Sequence, residues 1–424
     1  MSSSYEFWLT DDTGRRIILI TNISFFSYAR TTRGLGSFEI GVPYQDWIKK
    51  VHPFFEPDRR VEIWRSPAKD IPMRQEGIYF LRKPRVYTRE DGVQMLVMYG
   101  RDPKDLLNRR WIIQAAGTSY TRKTDYIDDM MKDIVREQML YNSARDPDGV
   151  LSPSRYMPQG EFLVQADLSL GPSVDYNFAD RNVLDVLNEL KDASFQLAEG
   201  VAANQRIYFD VVPADVGDIA DEILEEDSSN PILDESGAAL LAETSVSALA
   251  FVGFRFETYA GLYGIDRTAD LVFSVENENL ERPDYTIDHL DERNSVIVKG
   301  FGRGDSRPWE IVDSDGVTSS RWNRYETFKD GSQEPDQDRL AELGYEELWS
   351  GRPQEKINAT FLNVPGSPTS PRSLYGVDWD LGDLLTVSYA GKQFDVEVEI
   401  VYVAVNEAGV ENIIGRNDVN ASQD

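Results

Sequence analysis

The sequence predicts a mainly β, α+β protein, on three observations. Short β-rich runs bounded by Gly, Pro or Asp fill the first hundred residues, helical periodicity is confined to three later windows, and β signals return in the second half and end the chain. Blocks of strands with segregated helices indicate α+β packing and not a wound parallel sheet.

Taken in order, Tyr5 to Leu9 and Arg15 to Ile20 flank Asp11-Asp12-Thr13-Gly14, a polar turn ending in Gly, and read as a hairpin. Phe80 to Thr88 and Val93 to Tyr99 flank Arg89-Glu90-Asp91-Gly92 in the same way. Ile23 to Ala29, Ser37 to Val42 and Val61 to Trp64 are further strands, so a small antiparallel barrel or sandwich fits this region. From Thr124, a candidate N-cap, the period changes: Ile127, Met130, Met131, Ile134, Val135 and Met139 lie on one helical face. A second helix runs from Asp180 to near Gly200, with Val183, Leu184, Val186, Leu187, Leu190 and Leu197 as its stripe. Both stripes read as core. Strands follow at Arg206 to Val212, Leu249 to Tyr259, Leu271 to Glu276, Asn294 to Phe301 and Trp309 to Val312. The acidic stretch 213–248 between the first two reads as a loop or insertion. A third helix covers Asp336 to Trp349, and Leu384 to Tyr389 with Phe394 to Val405 flank Ala390-Gly391-Lys392 as a last hairpin.

At 424 residues the chain exceeds one hydrophobic core, so two or more domains are expected. Its 41% hydrophobic content suffices for a folded protein despite 28% charged residues. The absence of cysteine excludes disulfides, thiolate metal sites and a cysteine nucleophile. No cationic leader or long apolar run is present, so no membrane insertion is expected, and the product is expected to stay in the cytoplasm where it is made or in a virion. A net charge of −29 argues against nucleic-acid readout, which needs a basic face. The charge is uneven: residues 1–110 hold 19 Lys and Arg against 14 Asp and Glu, or +5, and the rest hold 25 against 59, or −34. That split is either a solvated acidic surface or two functional faces of opposite sign.

Motif chemistry is sparse. His52 and His289 lack a His partner at metal-ligand spacing, and G-x-S-x-G, H-E-x-x-H, Walker A and G-x-G-x-x-G are all absent. Asp313-Ser314-Asp315-Gly316 opens like a calcium loop, but the positions that would continue it are Val317 and Arg324, so it reads as a turn. Arg303-Gly304-Asp305 sits in a glycine-rich turn between two strands, and the Asn-x-Ser/Thr sites at Asn22, Asn358 and Asn420 need a secretory route. With 73 acids, a glycosidase-type carboxylate pair cannot be singled out. No residue is put forward as catalytic, metal-binding or cofactor-binding, and no enzyme activity is expected.

Six ordered segments carry a resemblance. They are Phe38-Glu39-Ile40-Gly41-Val42-Pro43, Arg60-Val61-Glu62-Ile63-Trp64, the run Gly100-Arg101-Asp102-Pro103-Lys104-Asp105-Leu106-Leu107-Asn108-Arg109-Arg110, Asn182 to Leu190, Lys299-Gly300-Phe301-Gly302-Arg303-Gly304, and Val377 to Val387 with Trp379-Asp380-Leu381-Gly382-Asp383 at its centre. Together the chain resembles the tail hub, or Gp37-like, family of siphophages, related to contractile-phage baseplate hubs. The resemblance implies two tail-tube-like antiparallel β-barrels per chain and a homotrimer presenting six barrels to a six-fold tail tube. It implies as partners a distal tail or tail tube protein, the tape-measure protein and a fibre or spike. DNA would pass through without specific binding, no cofactor is implied, and the chain would reside in the virion at the tail tip. The corresponding division is 1–110 for a first barrel region, 111–203 for a helical insertion, 204–335 for a second barrel region with the acidic insertion, and 336–424 for a C-terminal helix and hairpin; the barrels can be discontinuous in sequence. Relatives with appended hydrolase domains exist, whereas this chain is expected to lack room for one after its last hairpin. The readings set against the hub are a tail-associated carbohydrate hydrolase and a standalone ligand-binding β-sandwich.

Overall fold

A computed structural model describes residues 3–44, 59–113, 121–140, 155–157, 161–178, 180–198, 205–214, 253–290, 292–302, 306–314, 317, 322–331, 337–368 and 370–417. The first part supplies β1 (Ser4–Thr10), β2 (Arg16–Leu19), β3 (Phe25–Thr31), β4 (Ser37–Pro43), β5 (Arg60–Ser66), β6 (Arg74–Thr88) and β7 (Gln94–Arg101). Then come α1 (Asp105–Asn108), β8 (Thr121–Tyr126), α2 (Ile127–Met139), β9 (Phe162–Val164), β10 (Ser173–Phe178), α3 (Val183–Ala198), β11 (Ile207–Ala214) and β12 (Gly253–Ala260). The remainder is β13 (Val272–Ser274), β14 (Leu280–Asp288), β15 (Ser295–Lys299), β16 (Trp309–Asp313), β17 (Glu326–Asp330), α4 (Gln337–Ser350), β18 (Gln354–Leu362), β19 (Leu384–Tyr389), β20 (Lys392–Glu397), β21 (Ile400–Val405) and β22 (Glu411–Arg416). The fold is mainly β with few helices, as the periodicities predict.

The expected hairpins form for the expected reasons. Asp11 Oδ1 accepts the backbone N–H groups of Thr13 (3.0 Å) and Arg15 (2.9 Å), which folds the β1–β2 turn. At the β19–β20 turn Ala390 and Gly391 take φ of 54° and 75°, the two left-handed residues that a two-residue hairpin needs.

The main sheet runs β14-β18-β22-β21-β3-β4-β7-β6-β5-β1-β2. Its non-local step is β3 against β21, Thr31 opposite Ile400 and Phe26 opposite Val405, so the two ends of the chain share one sheet. The sheet curls: Phe26 on β3 meets Tyr5 (4.7 Å between rings) and Phe7 (4.8 Å) on β1, although four strands lie between them in the order β3-β4-β7-β6-β5-β1. Ser3 Oγ donates to Glu411 on β22 at 2.9 Å, so side chains bridge the approach of β1 to β22.

The helices α2 and α3 pack on a separate small sheet of order β11-β12-β9, and the shared core reaches Phe80 of β6. Met130, Met131, Ile134, Val135 and Met139 of α2 and Val183, Val186, Leu187 and Leu190 of α3 are buried with Phe80, Phe162, Phe178, Phe254 and Phe256 in one core. Two helix starts differ from expectation. Thr124 is not an N-cap: it lies in β8 opposite Asp175 of β10, and that ladder keeps it extended until Ile127. The next helix begins at Val183, capped by Asn182, whose Oδ1 accepts the Leu184 N–H at 2.9 Å. Phe394 to Val405 is two strands, because the chain changes partners at Val398, from β19 to β3 and β22.

Residues Arg282–Ala359 form a separate compact unit, a sheet of order β16-β15-β17 with α4 on one face, where Leu340 packs on Val296 and Val298. The rest, Met1–Glu281 with Thr360–Asp424, is the other unit. Of the acidic stretch only Pro213 and Ala214 lie within the described residues; Ala214 is paired with Gly253, so the insertion leaves and rejoins at adjacent ladder positions.

Candidate functional site

The six segments that carry the resemblance fall on β4, β5, the end of β7 with α1, α3, the end of β15, and the approach to β19. The last of these builds a buried polar junction. Trp379 is fully buried, edge-on to Phe273 and tilted against Tyr375 and Phe361, and its Nε1 donates to the Ser373 carbonyl at 2.9 Å. Asp380 accepts from Arg30 of β3 at 3.0 Å and pairs with Arg74 of β6 at 2.5 Å. Burial works against its ionisation, but Arg30 and then Arg74 outweigh burial and hold the carboxyl below the usual range. Gly382 turns the chain at φ 80°. Asp383 follows, 2% exposed, accepting from Arg267 Nε (2.8 Å), the Ile265 N–H (2.7 Å) and the Asp380 N–H (2.8 Å).

Glu76 completes the junction. In the β5–β6 ladder Ile63 pairs with Gly77 and Trp64 with Gln75, so Glu76 is the extra residue of a bulge, which turns its side chain inward. It accepts from Tyr375 Oη (2.5 Å), Tyr28 Oη (3.3 Å) and Arg74 Nε (2.9 Å), with Arg30 at 3.5 Å. Both tyrosines are pushed well above the ordinary range by burial, Tyr375 even against the field of Arg30. Arg65, 1% exposed, donates to the Tyr375 carbonyl (3.1 Å) and Tyr5 Oη (3.0 Å). A buried carboxylate is tolerable only when so paired and hydrogen-bonded. The junction thus ties β1, β3, β5 and β6 to the segment 374–383.

Beside it lies a cavity of about 260 Å³ lined in part by Arg30, Glu76, Asp102, Lys104, Asp210 and Tyr263. Asp102 accepts the Gly36 N–H at 2.9 Å, with Lys104 at 3.5 Å, and its Oδ1 has no hydrogen-bond partner. Burial, reinforced by Asp210 and opposed by Lys104, pushes its pKa up to about 6. A carboxyl raised in the fold binds its proton more tightly there than when unfolded. Its ionisation therefore opposes folding above pH 6, and the cost fades as pH falls from about 6 toward the unfolded value near 4. Asp102→Asn keeps an acceptor for Gly36 and is expected to stabilise the protein by about 1 kcal/mol at pH 7.5 and by much less at pH 4.5. Thermal melts at the two pH values check this, and an equal or reversed effect would refute it.

The other marked residues do not converge. His289 is exposed and within 2.8 Å of Glu292, and His52 lies outside the described residues. Asp313 accepts from Ser295 Oγ (2.6 Å) and Arg324 (3.1 Å), which is pairing within its own sheet. Arg303-Gly304-Asp305 and Asn420 are also outside the described residues, Asn22 is a left-handed residue at φ 58°, and Asn358 lies in β18. Among the described residues no group of three His, Asp or Glu side chains is placed to hold a metal ion. Sequence reasoning missed Glu76, Arg30 and Arg74, which carry no motif spacing.

A family model described as Siphovirus ReqiPepy6 Gp37-like protein matches residues 6–416. The chain belongs to that family. The match takes in both sheet ends and every segment of the junction, so the resemblance carried by the sequence motifs holds for the whole Gp37-like chain. No curated protein matches it. Among solved structures, the 43 kDa tail protein of prophage MuSo2 from Shewanella oneidensis is similar at 11% identity, covering 98% of each chain with a TM-score of 0.49. A tail protein from Neisseria meningitidis MC58 is similar at 10% identity, over 98% of this chain and 96% of that one, with a TM-score of 0.46. Prophage tail protein gp18 from Listeria monocytogenes EGD-e is similar at 10% identity, over 98% and 95%, with a TM-score of 0.46.

Proposed function

We propose that this Gp37-like protein is a structural hub at the distal end of a siphophage tail tube. Three copies form a ring in which each chain offers two tube-like β-barrels, so that a three-fold part meets a six-fold tube. The ring joins the tube or distal tail protein to a fibre or spike and to the tape-measure protein, and it lets DNA pass without holding it. The observation that carries this reading is the family match over residues 6–416. The junction supports it too: its charged side chains are spent on fastening strands to one another, the work expected of a part that acts by assembly. The charge split of +5 against −34 fits an acidic DNA path, since a basic lumen would invite counterion-release binding.

Size-exclusion chromatography with light scattering across a concentration series is expected to show a species of three chains, and a structure of that ring is expected to show more Asp and Glu than Lys and Arg on the channel wall. A monomer at every concentration, or a dimer in the tail, would overturn the hub reading. A neutral or basic wall would return the acids to a solubility role.

A further inference from the structure

The sheet of the 282–359 unit carries its helix on one face only. Val296, Val298 and Leu340 are buried between β15 and α4, and Lys329 of β17 reaches Glu347 of α4 at 2.8 Å, so the alternate residues of all three strands point the other way. In register across that other face, Ile311 of β16, Ile297 of β15 and Phe328 of β17 form a middle row, and Trp309 stands in the next row. Ile311, Phe328 and Trp309 are 41%, 54% and 57% exposed, so two aromatic rings and an aliphatic side chain are held out in water by strands that the helix fixes from behind.

Charged groups flank the apolar row on both sides and are fastened to one another. At one end Arg324 binds Asp313 at 3.1 Å and Glu326 at 2.7 Å, and Ser295, which pairs with both acids in the ladders, is buried between them. At the other end Arg307 binds Asp330 at 2.5 Å, and Lys299 lies between Trp309 and Asp330. Three carboxylates and three cations leave the face without net charge.

Area and charge together select the occupant. The face spans five residues by three strands, on the order of 250 Å², far under the ~800 Å² per partner of a stable protein interface, so a protein is not held by it alone. Its zero net charge offers nothing to a polyanion or a polycation, which bind through uncompensated charge. A wholly apolar ligand would strip water from the flanking charges without replacing their hydrogen bonds. A small uncharged molecule with apolar faces and hydroxyl edges meets all three conditions. We infer that this face binds a neutral oligosaccharide. The C–H face of a pyranose ring lies on the negative face of an aromatic ring. Its hydroxyls donate to Asp313, Glu326 and Asp330 and accept from Arg324 and Arg307, groups that their ion pairs already orient, so the hydrogen bonds are charge-assisted and little side-chain freedom is lost. Trp309 and Phe328 are two strands and two residues apart, roughly 12 Å between Cα atoms, so one chain of a few rings can stack on both. The inference concerns a single copy and stands or falls whatever the number of chains in the hub.

Saturation-transfer NMR with hexasaccharides of glucose, mannose, galactose and N-acetylglucosamine tests it. At least one of them is expected to take up saturation from the aromatic protons of the wild type, with a Kd on the order of 1 mM, as suits a small ligand on an open surface. Trp309→Ala and Phe328→Ala are each expected to raise that Kd at least tenfold, while Trp111→Ala, a 59% exposed tryptophan of the other unit, leaves it unchanged. Raising the salt about tenfold is expected to change the wild-type Kd less than twofold, because the ligand is uncharged. Melting temperatures within about 2 °C of wild type show that the surface variants fold. Should either variant fail to fold, the saccharide panel and the salt series on the wild type decide the matter. No saccharide bound at about 10 mM, a Kd that survives both aromatic variants, or a Kd that climbs steeply with salt overturns the inference. Self-association abolished by Trp309→Ala, without saccharide binding, also overturns it and gives the face to a protein.

Discussion

Gly382→Val is expected to lose about 3 to 5 kcal/mol of stability. Two independent terms contribute. The residue sits at φ 80°, where a β-branched side chain costs about 1 to 3 kcal/mol of backbone strain. The added Cβ would also stand 2.4 Å from Tyr263 Cδ1, 2.9 Å from Tyr263 Cβ and 3.0 Å from the Gly264 nitrogen. Neither neighbour yields easily. Tyr263 Oη is bound to Asp210 at 2.6 Å, and the Gly264 N–H donates to the Gly382 carbonyl at 3.0 Å while the Gly382 N–H donates to Val398 at 2.8 Å. Overpacking of this kind costs typically about 1 to 3 kcal/mol. In a domain of this size each kcal/mol moves the melting temperature by about 2 to 4 °C, so a fall of roughly 10 °C is expected in a thermal melt. An unchanged melting temperature would show that the loop at Tyr263 relaxes freely and that the motif glycine is dispensable.

What could be read from the sequence was what is local. The hairpin at Ala390-Gly391 and the left-handed Gly382 follow from turn chemistry over a few residues, and the buried stripes of α2 and α3 follow from a 3.6-residue period. What escaped is set by partners distant in sequence. Thr124 looks like a helix cap to its neighbours, but Asp175 claims it for a strand. Phe394 to Val405 reads as one apolar run because nothing in it announces that the chain leaves β19 for β3. The junction is the extreme case. Glu76 enters the interior only because a one-residue bulge shifts the register of β6, and its partners come from β3 and from a segment some 300 positions away. A register shift leaves no mark in composition or periodicity. The motif Trp379 to Asp383 was legible as important, but its task of binding Arg30 and Arg74 through Asp380 was not.

Glu76→Leu is expected to cost about 3 to 5 kcal/mol, and the argument turns on who is left behind. The Glu76 side chain is fully buried and accepts from Tyr375, Tyr28 and Arg74 while facing Arg30. Leucine fills similar volume, so little of the loss is a cavity. The loss comes from two buried hydroxyls deprived of their acceptor and from two guanidinium groups left with Asp380 as their shared carboxylate. Removing one partner of a buried ion pair typically costs about 3 to 5 kcal/mol for that reason. Glu76→Gln keeps an acceptor oxygen and loses only the charge, so about half that loss is expected. Tyr375→Phe removes one donor at about 1 kcal/mol. Combining it with Glu76→Leu is expected to cost less than the sum by roughly 1 kcal/mol, because in the double variant the Tyr375 hydroxyl is no longer stranded. Urea denaturation of the three single variants and the double variant measures the cycle. A Glu76→Leu variant within 0.5 kcal/mol of wild type, or strict additivity with Tyr375→Phe, would mean that the carboxylate is bystander to the junction and that the packing around Trp379 and the β3–β21 ladder hold the segment 374–383 in place without it.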